Sequence, residues 1–163
     1  MSEYDLGFAE KLAETADMLD ERQPYNHDAR RVMVYLSRLS MEIALKAVLE
    51  QAGVPTKTIR QRSHNLNKLL LGLDNCEVLA TVGGESRWIT ANAVREESID
   101  MGMAQIPIGE LVAATHPELS PYPNGIRYGE RVFEFHPVYL VGAAKVLTTW
   151  ARSNLETIRL RTQ

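Results

Sequence analysis

Ala29, Val32, Met33, Leu36, Leu39, Ile43, Ala44, Ala47 and Val48 recur every three or four positions, the spacing that puts side chains on one face of an α-helix. The pattern predicts a helix over residues 26–52. Asn26 offers a side-chain oxygen to its free amides. Gly53 tolerates the left-handed backbone that closes a helix, and Pro55 keeps it from resuming. The same period in Leu6, Phe8, Ala9, Leu12, Ala13, Ala16 and Leu19 predicts a first helix over residues 4–21, ending before Pro24. Leu66, Leu69, Leu70 and Leu73 predict a short third helix capped by Ser63 or Asn65. After His136-Pro137, the stripe Leu140, Ala143, Ala144, Leu147, Trp150, Ala151, Leu155 and Ile158 runs through about six turns.

The middle of the chain is less regular. Gly83-Gly84, Gly102, Pro107 and Gly109 break residues 74–116 into short pieces, with residues 88–99 expected to be helical and 108–115 one or two turns. Pro117, Pro121, Pro123, Gly125 and Gly129 make residues 116–129 a loop. Residues 126–133 are two short extended runs about Gly129-Glu130, suited to a small hairpin. The expected architecture is all-α: one domain over residues 1–163, an up-and-down bundle of four to five helices with a small β-hairpin before the last. The last stripe carries more apolar positions than a two-helix contact needs, which points to a homodimer.

Composition narrows the chemistry. The single cysteine, Cys76, excludes an internal disulfide and a cysteine-based zinc site, and reads as a small buried hydrophobe. An acidic, polar start and the lack of a long apolar run point to a cytoplasmic protein without membrane spans. Net charge is −3, which argues against coating nucleic acid by bulk electrostatics. The distribution matters more. Glu3, Asp5, Glu10, Glu14, Asp17, Asp20 and Glu21 make the first segment acidic, whereas residues 51–73 hold Lys57, Arg60, Arg62 and Lys68 and no carboxylate. Arg60, Arg62 and His64, just before a helix N-terminus, suit a phosphate group. The plainer alternative is a solvated strip pairing with the acidic first helix, with His64 bonded to a neighbouring loop. His27 and His116 have no metal-ligand spacing, Gly83-Gly84 lacks the lysine of a phosphate loop, and Trp88 and Trp150 read as core. Neither a cofactor nor a metal is expected.

The string Glu42-Ile43-Ala44-Leu45-Lys46-Ala47-Val48-Leu49, then Gly53, then His64-Asn65-Leu66 with Leu69-Leu70, resembles the HEPN family of helical nucleotide-associated domains. Arg127-Tyr128 before the last helix resembles a pair that often precedes that family's final helix, which brings Arg127 into the candidate phosphate site. The resemblance covers residues 28–71 and 126–155. It implies a helical protein that binds a nucleotide or RNA as a homodimer. It also raises two rivals. One is a metal-independent endoribonuclease of toxin or defence type, whose arginine and histidine, four to six residues apart, meet across a dimer. The other is a non-catalytic dimeric adaptor for a nucleotidyltransferase or antitoxin partner.

Arg131 and His136 lie nearest the family's catalytic position, and Arg22 and His27 share the spacing. His136 could move a 2′-hydroxyl proton while Arg131 holds the phosphate. The family's polar residue after the arginine is here Val132. An extended 131–135 segment would also hold Arg131 roughly 16 Å from His136 and on the opposite side, so the pair is expected to fail within one subunit.

Overall fold

The computed structural model describes residues 2–100, 105–119 and 136–162, without the side chains of residues 100 and 116–119. Helix α1 (Leu6–Arg22) and helix α2 (His27–Gln51) pack along most of their lengths, and helix α6 (Val138–Asn154) lies against both. The caps follow the local sequence. The Asp5 carboxylate accepts from the amides of Gly7 and Phe8, and Asn26 Oδ1 accepts from Ala29 N at 2.8 Å. At the far end of α2, Gly53 adopts φ +94°, Gly53 N donates to Glu50 O and Val54 N to Leu49 O, both at 3.0 Å. That reciprocal pair satisfies the last carbonyls, and it needs the left-handed glycine.

Helix α3 (Thr56–Gln61) and helix α4 (Leu66–Gly72) follow. The hydrophobic spacing does not mark the first of these. Pro55 does stop α2, yet its fixed φ also suits the residue ahead of a new helix, and α3 begins at once. Asn65, not Ser63, caps α4, accepting from Lys68 N at 3.0 Å, while Leu66, Leu69 and Leu70 are buried.

The all-α expectation is overturned by residues 76–107. Strand β1 (Cys76–Val82) and strand β2 (Glu85–Thr90) form an antiparallel hairpin, and strand β5 (Arg159–Leu160) adds to the other edge of β1. Strand β3 (Ser98–Asp100) pairs with strand β4 (Gln105–Pro107). The protein is therefore mixed, a helical core with two small antiparallel sheets. Gly83 and Gly84, at φ +63° and +85°, supply the two-residue turn that matches strand twist. The helix expected over residues 88–99 is instead the end of β2, a tight 3-10 segment at Ala91–Glu96 and β3. Ala91 and Val94 are buried, which explains why the segment had a helical period.

Helix α5 (Ile108–Leu119) runs through Pro117, longer than the expected one or two turns and into the expected loop. The rest of that loop and the expected hairpin at residues 126–133 fall outside the described residues. Helix α6 stops at Asn154, and Leu155 and Ile158 cover the core after it.

The core gathers Met33, Met41, Leu45, Leu49, Ile59, Leu66, Leu69, Leu70, Leu73, Ile108 and Leu140, all nearly solvent-free. Each such side chain contributes about 1.5–3 kcal/mol relative to exposure. The second half of α2 is buried on almost every side. The α6 stripe that motivated a homodimer is covered within the chain by α1, α2 and β3.

Candidate functional site

Arg38, Glu42, Lys46 and Glu50 sit four residues apart along α2, so their side chains stack on one face of it. Since that part of the helix is enclosed, the first three are buried, at 2, 3 and 8% exposure. Buried charges must find partners inside the protein. Glu42 Oε1 accepts from Lys46 Nζ at 2.7 Å, and both Glu42 oxygens stand 3.0 Å from His64 Nδ1. Facing a carboxylate, that nitrogen carries the proton. Arg38 Nη2 donates to the His64 carbonyl at 2.8 Å. Ser63, at φ +51°, turns the chain so that His64 meets α2 just before Asn65 caps α4. The His64 side chain remains half exposed, and its ring is held from the protein side by Glu42.

The N-terminal strap, residues 2–4, lies over the other end of the stripe. Glu50 accepts from Ser2 Oγ at 2.7 Å and from the amides of Glu3 and Tyr4 at 2.9–3.2 Å. Burial pushes the Glu50 carboxyl up, but these donors outweigh it and hold it below the ordinary carboxylate value. The Tyr4 ring centroid lies 5.5 Å from Lys46 Nζ. Burial, then the Glu3 carboxylate, raises the Tyr4 phenol. Glu3 takes the Arg60 guanidinium in a two-point contact, Nε at 3.1 Å and Nη2 at 2.8 Å. That guanidinium holds the Glu3 carboxyl below its ordinary value.

Arg62 turns inward. Its Nη1 donates to the Lys68 carbonyl, and its guanidinium carbon and the Leu49 methyls stand 3.1–3.2 Å from where a side chain on Gly72 would begin, so the glycine packs closely against both. Its Nε is buried with no hydrogen-bond partner among the described residues. Nearby Cys76 is pushed up to about 11 by burial, with the Arg62 charge pulling slightly the other way. It is an inert thiol at neutral pH.

Arg60, Arg62 and His64 are thus brought to one junction, and each already contacts an acceptor. The helix N-terminus expected to help them is only a seven-residue helix, and the Asn65 side chain takes one of its amides. Arg127 and Arg131 lie outside the described residues. His136 Nδ1 accepts from Val138 N at 3.3 Å, one residue ahead of the Pro137 that opens α6. Of the acidic first segment, Glu3 pairs with Arg60 of the basic strip, whereas on α1 Glu10 and Asp17 pair with α6. Glu10 grips Arg152 at 2.7 and 2.8 Å, and Asp17 bonds Lys145 at 2.9 Å, across an open cleft of about 340 Å³. Among the described residues no cluster could hold a metal, and no helix is long and apolar enough to cross a membrane.

Arg38, Glu42 and Lys46 escaped sequence reasoning as a charged unit. The signal was there as alternating signs at every fourth residue through Glu50, inside a helix otherwise rich in apolar residues. No family model, curated protein or solved structure matches the chain.

Proposed function

We propose that this chain is a HEPN-like helical protein that binds a nucleotide or RNA through phosphate groups at the junction of α2, α3 and α4. The observation that supports the reading is the charge balance there. Lys46 and His64 share the buried carboxylate of Glu42, Arg38 donates to the His64 carbonyl, and the adjoining stretch holds Lys57, Arg60, Arg62 and Lys68 with no carboxylate of its own. A run of cations with no carboxylate among them favours an incoming anion. Arginine forks suit phosphate oxygens in particular, by paired hydrogen bonds.

Titration of ATP and of a short single-stranded RNA against wild type and an Arg60→Ala, Arg62→Ala double variant tests this. The variant should bind more weakly, and wild-type affinity should fall as salt rises. Equal affinities in a variant that still melts cooperatively would refute it.

The rival reading as a metal-independent ribonuclease, assigned from sequence to Arg131 and His136, finds its one supporting observation at another residue, the half-exposed His64 imidazole oriented by buried Glu42. A base held by a carboxylate is the arrangement general acid–base chemistry uses. Cleavage of RNA in the presence of a chelator, lost in His64→Ala but not in His136→Ala, would favour it.

A further inference from the structure

We infer that Glu3 is a built-in occupant of the anion site, its carboxylate standing on Arg60 where a ligand phosphate would bind. This rests on the phosphate-binding reading above.

A carboxylate and a phosphate present the same feature to a guanidinium, two oxygens spaced for parallel N–H donors. The Glu3–Arg60 contact has that geometry, with Nε and Nη2 each donating to a different oxygen. Glu3 reaches Arg60 although 57 residues separate them, because Glu50 pins the backbone of the strap. Three donors from residues 2–4 converge on that one carboxylate, so the strap is positioned by α2 and delivers Glu3 to α3. It also lays the Tyr4 ring over Lys46, the buried cation nearest to it.

The arrangement has the properties of a competitor more than of a structural staple. Glu3 and Arg60 are both substantially solvent-exposed, with side chains 37 and 68% accessible, so the pair adds little to folding and is open to exchange. A phosphate brings more negative charge than a carboxylate and can displace it. Displacement frees the Glu3 side chain while Glu50 still holds the strap backbone.

The test uses the full chain, ATP as probe, and calorimetric titration at low salt. Glu3→Ala should bind ATP roughly two- to fivefold more tightly than wild type, the range one exposed ion pair commands. Glu3→Gln, which keeps the side-chain shape, should show the same gain, and Arg60→Ala should abolish it in the Glu3→Ala background. Wild type and Glu3→Ala binding ATP equally, with Arg60→Ala weaker than both, would overturn the competitor role and leave the binding reading intact. Binding by none of the proteins would overturn the binding reading and the competitor role with it. A gain that survives Arg60→Ala would place the competition elsewhere and refute the assignment.

Discussion

Replacing Glu42 with leucine should be the most damaging single change on α2. The carboxylate is 5% exposed and serves two groups, Lys46 Nζ at 2.7 Å and His64 Nδ1 at 3.0 Å. Its removal leaves Lys46, 10% exposed at the side chain, as a buried cation beside the Tyr4 ring. Breaking one side of a buried ion pair costs about 3–5 kcal/mol, mostly because the remaining charge cannot reach water. In a domain of this size each kcal/mol moves the melting temperature by roughly 2–4 °C, so Glu42→Leu should melt about 6–20 °C below wild type. Lys46→Met should cost less, about 2–3 kcal/mol, since Glu42 keeps His64 as a partner. The double variant carries no orphaned charge and should recover most of the loss. Urea unfolding of the four proteins measures the coupling. A Glu42→Leu midpoint indistinguishable from wild type, or a double variant as unstable as the sum of the singles, would show that the network carries no such energy.

Three further outcomes follow from other parts of the fold. A methyl group on Gly142 would meet Ile99 Cγ2 at 2.6 Å, and Ile99 is buried, so Gly142→Ala should lower the urea midpoint: overpacking of about 1–3 kcal/mol exceeds the roughly 1 kcal/mol helix gain. A midpoint at or above wild type refutes this. Cys76 should resist thiol reagents in the native protein at pH 8. Its raised value means that its contribution holds below the ordinary thiol value of 9.0 and is lost as pH rises through about 11, up to roughly 2–3 kcal/mol, so Cys76→Ala should flatten alkaline unfolding between those limits. Glu3 and Glu50 sit below the ordinary value of 4.5, so the hold on the strap is full above that pH and is lost as pH falls through their lower folded values. Amide exchange at Glu3 and Tyr4 should quicken there, and Glu50→Gln should show fast exchange already at neutral pH.

The helices were legible because each turns one apolar face to the core and carries its own punctuation. Asn26, Gly53 and Asn65 act through atoms next to them in sequence, so spacing alone places them. The hairpin was not legible for the opposite reason. Both faces of β1 carry apolar residues, buried Val78 beside exposed Leu79, which hides the two-residue period. In β2, Trp88 stands opposite Leu79 under the guanidinium of Arg159, 3.4 Å from the ring centroid, and that cover comes from 71 residues further along the chain. Trp88 was expected in the core and lies partly exposed on the sheet instead.

The candidate site divides along the same line. Arg60, Arg62 and His64 could be named from sequence because they are cationic and adjacent. What each does depends on partners distant in sequence, Glu3 for Arg60 and Glu42 for His64, and no local rule assigns those. The alternating stripe from Arg38 to Glu50 joins the two halves: its inner end fixes His64 and its outer end fixes the strap that carries Glu3. A charged face on an enclosed helix can be met only by segments that come to it, and here those segments are the chain start and the loop before α4. Glu50 holds the strap whether or not Glu3 is on Arg60, so the position of Glu3 is set by one helix and its contact by another. At Arg60 and His64 the basic strip is therefore not an independent solvated face, because carboxylates delivered by the rest of the fold meet it there.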